Sequence, residues 1–362
     1  MKKVFIAATK QNDGKTTVSL GLVCHFQRRF KRVGFIKPIG QRYLEEEGMK
    51  IDEDSILIED VCGIKSGLKD MSPIAVEKGF TERYIAKPDK DSISRKIQES
   101  FRRVARSQDL VVIEGTGHAG VGSCFDHSNA SVAKMLGAKV IIISSGGIGR
   151  PIDEIALNKS LFEKEGVKVL GVIINKVLPS KFDKINNLVR KGLKRKGVNV
   201  LGVVPYNEML SLPTFEQIYE ETKYDPLCGK DFLETYISRV IVGAMRPREA
   251  LRYMVDDSLL ITPGDRKDMI MAALLSRREK DKDRPRIAGL ILSGGLVPPP
   301  NILEALNKAR IPVLLAQGDT YSVASTIHDL TVKIRPKDQL KVNEVIRMIR
   351  HNVDLDAIFR GI

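Results

Sequence analysis

The fold of this chain is decided by the stretch Val4-Phe5-Ile6-Ala7-Ala8-Thr9-Lys10-Gln11-Asn12-Asp13-Gly14-Lys15-Thr16-Thr17. An apolar run typical of a buried strand leads through a short polar loop into a helical pattern that begins near Val18. This order of elements directs main-chain N–H groups and the positive end of the helix toward one point. The stretch therefore predicts a loop that binds phosphate groups.

The residues of this loop predict how a nucleoside triphosphate binds. The ammonium group of Lys15 would reach the outer phosphate oxygens, and the hydroxyl of Thr16 would hold Mg²⁺. The nucleotide contacts predicted within the loop are Asn12, Asp13, Gly14, Lys15, Thr16 and Thr17. Thr9 stands at the first glycine position of the usual loop, so a chance Gly-Lys-Thr in a lysine-rich chain is the alternative. The flanking strand and helix patterns favour a binding loop.

Composition indicates a folded protein with no membrane segment. The chain has 362 residues, of which 43% are hydrophobic and 29% charged, which fits two globular domains. The N-terminal apolar run is too short for a secretory signal or a membrane span, so we expect a cytoplasmic protein. The four cysteines form no Cys-x-x-Cys pair, which argues against a zinc ribbon or a disulfide framework and predicts small buried side chains.

The net charge of +14 is spread along the chain. Its densest patch, residues 181–196, lies on a predicted helix and contains no set of interleaved aromatic side chains. We prefer a solvated helix face to a nucleic-acid surface, because base stacking needs aromatic side chains. Nucleic acid is therefore not expected as a partner.

Short apolar runs alternate with helical stretches along the first part of the chain. They occupy residues 4–8, 33–36, 110–113, 140–143, 169–174 and 200–204. Continuous runs rich in Val and Ile indicate strands covered on both faces, so we predict an α/β fold with a parallel sheet wrapped by helices. Ligands of such a fold gather at the carboxyl ends of the strands.

A second set of α/β signals follows an irregular polar segment at 205–230. Its apolar runs occupy residues 240–244, 259–261, 287–292 and 313–315. We place the boundary near Lys223, which gives a first domain at 1–222 and a smaller α/β domain at 223–362. The final amphipathic helix, which contains Val342 and Ile349, is expected to pack on the protein body. Membrane docking of that helix is the less favoured alternative.

Polar side chains that follow the predicted strands define a metal and substrate site. Glu114 ends the third strand and is a predicted Mg²⁺ ligand, with a plain strand-end carboxylate as the alternative. Asp54 is the second predicted ligand, with a helix N-cap as the alternative. Lys37 ends the second strand, so a parallel sheet places it beside the phosphate loop, where it would bind a substrate carboxylate or phosphate. We assign catalysis to Lys15 and Lys37.

Two further residues are assigned to the nucleotide base. Asn175 ends the fifth strand, where its amide can hydrogen-bond a purine edge. Residue 178 is Leu, so the Asn-Lys-x-Asp guanine motif is incomplete and adenine is favoured. Pro205 follows the sixth strand and would flank the base, with an ordinary loop proline as the alternative. These assignments predict ATP and Mg²⁺ as cofactors.

With these residues assembled, residues 1–222 resemble the dethiobiotin synthase-like branch of the P-loop ATPases. The resemblance rests on Gly14-Lys15-Thr16, Lys37-Pro38, Asp54, Glu114-Gly115 and Asn175. It implies that Lys15 binds ATP phosphates, that Lys37 binds a substrate carbamate, and that Thr16 holds Mg²⁺ together with Asp54 and Glu114. Gln41 stands where a small hydroxyl residue is typical, which leaves the small-molecule ligand open.

The second domain resembles the DRTGG domain, which lies between such an ATPase-like domain and the catalytic domain of long phosphotransacetylases. The matching segments are Asp265-Arg266, Ser293-Gly294-Gly295 and residues 244–250. Both resemblances together cover nearly the whole chain and suggest a free-standing counterpart of the phosphotransacetylase N-terminal region. They imply an acyltransferase protein as a partner.

The segment from Lys10 to Thr17 is also similar to the deviant loop of dimeric partitioning ATPases. In those proteins the extra lysine crosses the dimer interface to the neighbour's nucleotide. The similarity implies a nucleotide contact from Lys10 and a homo-oligomer, with an exposed loop lysine as the alternative.

Three functions fit these patterns. The leading interpretation is a Mg²⁺-dependent ATP-binding protein, a regulatory ATPase whose second domain senses a metabolite or a partner. The first alternative is an ATP-dependent ligase that activates a small carboxylate or carbamate, with Lys15 and Mg²⁺ stabilising the transferred phosphoryl group and Lys37 holding the acid. The second alternative is an ATP-driven dimer switch of the partitioning type.

Overall fold

The computed structural model describes residues 1–46, 48–275, 286–330 and 332–362. The chain forms two compact units, Met1–Asn207 with Ile334–Ile362, and Glu208–Lys333. This division differs from the expected domains at 1–222 and 223–362. The second unit begins earlier, and the C-terminal segment returns to the first unit.

The first unit begins with alternating strands and helices. Its described strands up to Asn207 are β1 (Lys2–Ala8), β2 (Val33–Ile36), β3 (Ile39–Gly40), β4 (Tyr43–Glu46), β5 (Met49–Asp52), β6 (Ile74–Ala75), β7 (Leu110–Glu114), β8 (Lys139–Ser145), β9 (Val169–Val177) and β10 (Val200–Pro205). The α-helices of the same part are α1 (Lys15–Phe26), α2 (Glu53–Cys62), α3 (Leu68–Met71), α4 (Phe80–Ala86), α5 (Lys90–Ala105), α6 (Asn129–Met135), α7 (Gly149–Lys164) and α8 (Phe182–Lys194).

Six of these strands form one parallel sheet in the order β10-β9-β8-β1-β7-β2. These are the six predicted strands, so the predicted parallel α/β sheet is confirmed. The strand interiors are fully buried, as expected when helices cover both faces. Ile36 pairs with Ile113. Lys37 and Glu114, the next residues along the two strands, therefore lie at the same carboxyl edge of the sheet.

The second unit contains a mixed sheet. Its described elements are α9 (Phe215–Thr222), β11 (Asp225–Cys228), β12 (Arg239–Val242), α10 (Pro247–Ala250), β13 (Ser258–Pro263), α11 (Lys267–Leu275), β14 (Ile287–Ser293), α12 (Pro300–Lys308), β15 (Val313–Leu315) and α13 (Thr320–His328). The strand order is β11-β15-β14-β13-β12, with β11 antiparallel to its neighbour. Leu259 and Leu260 belong to separate apolar clusters, so both faces of this sheet are covered.

The C-terminal segment forms α14 (Gln339–Asn352) and α15 (Leu355–Gly361). The apolar stripe of α14 buries Val342, Val345 and Ile349 within the first unit. A Cβ atom on Gly21 of α1 would lie 2.5 Å from Ile349 Cγ1, so the glycine lets the two helices approach closely. The expected packing of this helix on the protein body is thus observed, but on the first unit rather than the second.

Two surface features bear on the expected partners. The helix α8 buries Ile185, Val189 and Leu193 and exposes the basic residues of the 181–196 patch. Among the described residues, no helix is both long and apolar enough to cross a membrane.

Candidate functional site

The loop between β1 and α1 has the backbone shape of an anion site. Gly14 adopts a left-handed conformation with φ of +93° directly before the helix. None of the main-chain N–H groups of residues 11–16 donates a hydrogen bond to a described residue. Unsatisfied N–H groups at a helix start attract anions, because they combine hydrogen-bond donors with the positive end of the helix dipole. The loop can therefore accept a phosphate group.

Lys15 is a buried lysine whose ammonium group lacks a partner. Its relative exposure is only 9%, yet it forms no hydrogen bond or ion pair with a described residue. Burial lowers the pKa of Lys15, while the nearby carboxylate of Glu114 raises it and the charge of Lys37 lowers it further. Burying an unpaired cation is costly, and a bound anion would relieve that cost.

The Asp13 side chain holds the loop in shape. Its carboxylate accepts hydrogen bonds from the Thr9 hydroxyl at 2.8 Å, from the Lys10 main-chain N–H at 3.0 Å and from Ser145. The carboxylate of Asp13 is thus engaged within the protein, and only its main-chain N–H group is left to contact a nucleotide.

Two residues at the end of β9 brace the loop from below. Asn175 Nδ2 donates to the carbonyl oxygen of Asp13 at 2.9 Å, and Lys176 Nζ donates to the carbonyl oxygen of Asn12 at 2.7 Å. The hydrogen bond of Asn175 also explains Gly14, because a Cβ atom there would collide with Asn175 Nδ2. Asn175 therefore positions the phosphate loop, and its contact with a purine stays a prediction.

Glu114 joins the loop helix to the end of β7. Thr16 donates its hydroxyl to Glu114 Oε1 at 3.1 Å. Burial, followed by the negative charge of Asp54, raises the pKa of Glu114 to about 7, against the lowering influence of Lys37. Ser19 lies close enough to act on this pKa, but neither its hydroxyl nor Glu114 Oε2 has a hydrogen bond of normal geometry with the described residues.

Lys37 is enclosed by carboxylates. Its Nζ atom pairs with Asp54 and with Asp52 Oδ1 at 2.9 Å, and it lies 3.8 Å from Glu114 Oε1. Burial alone would lower the pKa of Lys37, but the charges of Asp54, Asp52 and Glu114 outweigh it and raise the pKa. The ammonium group is therefore charged and already neutralised by the protein.

The N-cap of α2 is Asp52, not Asp54. Asp52 Oδ1 accepts the main-chain N–H of Asp54 at 3.0 Å, and the Asp54 side chain turns instead to Lys37. The N-cap alternative for Asp54 is therefore wrong. Asp52 also contacts Lys37, a role that sequence reasoning missed, although an aspartate directly before a helical pattern is the usual cap signal.

The side chains at this site fit Mg²⁺ only if a bound phosphate supplies further oxygen ligands. The described residues hold no cluster of three or more His, Cys, Asp or Glu side chains able to bind a metal alone. Mg²⁺ keeps several waters and takes one or two carboxylates plus phosphate oxygens. Thr16 and the unsatisfied oxygen of Glu114 are suitable for that arrangement. Asp54 lies in the same cluster but is engaged by Lys37.

The remaining predicted residues lie around the loop. Thr17 is the third residue of α1, and Lys10 is half-buried with no ion pair to a described residue. Pro205 pairs with Val177, so it lies on the strand next to Asn175. Pro205 also lines a cavity of about 300 Å³ together with residues of α14.

Asn129 fixes the loop after β7 and was not predicted. Its Nδ2 atom donates to the carbonyl oxygens of Thr116 and His118, both at 2.7 Å, and its Oδ1 atom accepts the Thr116 N–H at 3.1 Å. Residue 115 has to be a glycine, because a Cβ atom there would lie 2.6 Å from Asn129 Oδ1. Nothing in the local sequence marks this asparagine, because its partners lie on a different element.

The two signature loops of the second unit are adjacent. The Gly264 N–H donates to the carbonyl oxygen of Ser293 at 3.3 Å. Arg266 donates to the carbonyl oxygen of Met245 at 3.0 Å and pairs with Asp268 at 2.8 Å. The structure therefore brings together all three segments expected for this domain, while a ligand between them stays a prediction.

Comparison with protein families agrees with this architecture. The AAA domain family matches residues 2–214, and the DRTGG domain matches residues 217–330. The chain belongs to the AAA domain family, here in the form of a P-loop domain followed by a DRTGG domain.

The curated relatives that the chain matches are phosphate acetyltransferases. The chain is 27% identical to the phosphate acetyltransferase of Nitratidesulfovibrio vulgaris over 361 residues, which is 97% of this chain and 50% of that protein. It is also 27% identical to the phosphate acetyltransferase of Synechocystis sp., with 97% and 50% covered. The chain thus spans about half the length of the curated relatives it matches.

The chain also matches a solved structure, that of the septum site-determining protein MinD from Pyrococcus horikoshii in complex with Mg-ADP. It shares 16% identity at a TM-score of 0.36, covering 58% of this chain and 83% of that chain.

Proposed function

We propose that this chain binds ATP with Mg²⁺ at the loop around Lys15 and acts as a regulatory module. The observation that carries the proposal is the buried ammonium group of Lys15, which lacks a partner beside a run of unsatisfied N–H groups. A polyphosphate supplies the negative charge and the acceptors that these groups lack.

The residues divide the work of binding by their chemistry. Lys15 and the loop N–H groups would neutralise the outer phosphates. Thr16 and Glu114 would hold Mg²⁺, which supplies further charge neutralisation when bound. Asn175 and Pro205, at the ends of neighbouring strands, would lie on the side of the adenine base.

A binding role is favoured over a ligase by the state of Lys37. A ligase of the expected type needs this ammonium group for the acid or carbamate, but its charge is already balanced by Asp52 and Asp54. A substrate carboxylate would have to displace one of them, and it would be a fourth carboxyl group around Lys37, next to those of Asp52, Asp54 and Glu114.

The wider role is proposed from the relatives. Because the matched proteins are phosphate acetyltransferases, an acyltransferase, on the same or a separate polypeptide, is the proposed target of regulation. A small metabolite is the proposed ligand of the second unit, and the cytoplasm is the proposed location. Lys10, whose ammonium group has no ion pair with a described residue, is the proposed contact to a second copy's nucleotide.

The test is calorimetric titration with ATP in the presence of Mg²⁺. Lys15→Ala should abolish measurable binding, a loss of at least about 100-fold, because a charge-assisted contact in a buried site is removed. Lys31→Ala, a substitution of an exposed lysine, is the matched control and should bind as the wild type does. Unchanged affinity in Lys15→Ala would defeat the site assignment.

A parallel assay separates regulation from ligation. The wild type is incubated with ATP, Mg²⁺ and a mixture of small carboxylic acids, and ADP is measured. Little turnover, with or without the acids, is expected of a regulator. Turnover that depends on one acid would replace the regulatory proposal by the ligase.

A further inference from the structure

Two cysteine thiols lie in contact between α1 and α2. The Sγ atoms of Cys24 and Cys62 are 2.9 Å apart, although the residues are separated by 38 positions in the sequence. Cys24 lies in the last turn of α1, and Cys62 is the last residue of α2. Gln27 Nε2 donates to the carbonyl oxygen of Cys62 at 2.7 Å at the same junction. Both residues are partly exposed, which differs from the expected small buried side chains.

Both cysteines are partly buried, and their thiols are chemically unequal. The hydrogen bond from Cys62 lowers the pKa of Cys24, and the charge of Arg28 adds to this against the effect of burial. The pKa of Cys62 is raised, by its contact with Cys24 and by burial. A more acidic thiol beside a less acidic one is the usual arrangement of an attacking and a resolving cysteine.

The other two cysteines provide a contrast. Cys124 is exposed, and Cys228 is half-buried with its pKa raised to about 11 by burial. Neither has a thiol neighbour among the described residues. Contact between two thiols is therefore specific to Cys24 and Cys62 in the part of the chain that the structure describes.

We propose that Cys24 and Cys62 form a reversible, redox-active dithiol site that clamps α1 to α2. The oxidant is a low-molecular-weight disulfide. The thiolate of Cys24 attacks one of its sulfurs and releases one small thiolate, which leaves a mixed disulfide on Cys24. The thiolate of Cys62 then attacks the Cys24 sulfur and releases the second small thiolate. Two protein thiols are oxidised to one disulfide, and one small disulfide is reduced to two thiols.

The clamp acts on helices that both start at the phosphate site. Lys15 begins α1, and Asp54 is the second residue of α2. A bond between the far ends of these helices fixes their spacing and closes a long chain segment in the unfolded state, which stabilises the folded form. The inference rests on the thiol geometry and does not depend on the proposed nucleotide function.

The experiment uses the full chain with Cys124→Ser and Cys228→Ser, so that only the pair remains. The protein is equilibrated in glutathione buffers of increasing oxidised fraction, quenched with an alkylating reagent and analysed by peptide mass. We expect the peptides of Cys24 and Cys62 to be linked, with a mass two hydrogens below the sum of the two free peptides. Dithiothreitol should convert the linked pair back to the free peptides. We also expect the Tm of the oxidised form to rise by about 5 °C or more.

Single substitutions test the assigned order of attack. Cys62→Ser should accumulate a glutathione adduct on Cys24, because the resolving thiol is missing. Cys24→Ser cannot form the link, and it should accumulate less adduct on Cys62, because that thiol is the less acidic of the two. If both cysteines are still alkylated in the most oxidising buffer, both thiols have remained reduced, and the proposal is overturned. A stable glutathione adduct on Cys24 with Cys62 intact would overturn it as well.

Discussion

Thr16, at the start of α1, and Glu114, at the end of β7, are linked through one carboxylate oxygen. The Thr16 hydroxyl donates to Glu114 Oε1 at 3.1 Å, while the buried Oε2 atom has no hydrogen-bond partner among the described residues. Leaving a buried polar atom without a partner costs about 1–3 kcal/mol, and more when the group is charged. A bound cation would offset this cost at the very place where a triphosphate would need it.

Substituting Glu114 by Gln therefore tests the metal role. The variant keeps the shape of the side chain but removes the charge, so ATP binding should need a roughly tenfold or higher Mg²⁺ concentration. The measurement is a Mg²⁺ titration of ATP affinity, with the exposed Glu163→Gln as the control. An unaltered titration in Glu114→Gln would remove this residue from the metal shell.

The same substitution should change how stability depends on pH. The pKa of Glu114 is raised from 4.5 to about 7, so the folded protein keeps a proton that the unfolded chain releases. That contribution is fully present below pH 4.5 and is lost as the pH rises through about 7. Gln stays neutral, so the variant should gain about 1–3 kcal/mol on the wild type between pH 5 and pH 8. Urea unfolding in the absence of nucleotide measures the free energy of unfolding of both proteins at each pH. A difference between them that does not change with pH would contradict the raised pKa.

Asn175→Ala tests whether Asn175 only supports the loop, as a brace, or also binds the purine base. The variant leaves the carbonyl oxygen of Asp13 without its side-chain partner and should loosen the loop. A brace predicts that the affinities for ATP and GTP both fall by roughly tenfold, whereas a purine contact predicts a change in their ratio. Calorimetry with both nucleotides gives the answer, and the exposed Asn187→Ala is the control.

Sequence reasoning predicted which residues lie together, because the strand ends of a parallel sheet share one edge. Lys15, Lys37 and Glu114 follow or precede continuous apolar runs, and the structure brings them to one edge. The same reasoning could not find Asp52, because the hairpin formed by β4 and β5 that precedes α2 consists of short, partly exposed strands with weak patterns.

Long-range relations were beyond the sequence for a different reason. An amphipathic stripe predicts that one face of α14 is buried, but it does not predict which element buries it. The observed partner is α1 at Gly21, more than three hundred residues away along the chain. The contact of Cys24 with Cys62 likewise depends on how two helices cross. Local propensity carries no information on such pairings.

Gly14→Ala should separate backbone strain from crowding in the loop. A left-handed conformation costs a non-glycine residue about 1–2 kcal/mol, and here the new methyl group would also collide with Asn175. Gly63→Ala is the matched control, because Gly63 has φ of +60° but nothing within 4 Å of the added atom. We expect Gly63→Ala to lose only the backbone term in urea unfolding, and Gly14→Ala to lose more and to bind no nucleotide. Equal losses in the two variants would argue against the close approach.

Ile349→Ala tests whether the C-terminal helix belongs to the first unit. Ile349 is fully buried against α1, and its truncation should cost about 2–5 kcal/mol. Leu340→Ala, on the same helix but 62% exposed, is the control and should cost less than about 0.5 kcal/mol.

Hydrogen exchange shows where the stability is lost in Ile349→Ala. Weakened packing between α14 and α1 should speed the exchange of amides in α1 and in β10, which pairs with the segment after α14 at Gly202 and Val353. Amides of β13 and β14 should keep their protection, because those strands belong to a separate core. Faster exchange confined to β13 and β14 would instead indicate that α14 packs on the second unit, which is the domain boundary that the sequence predicts.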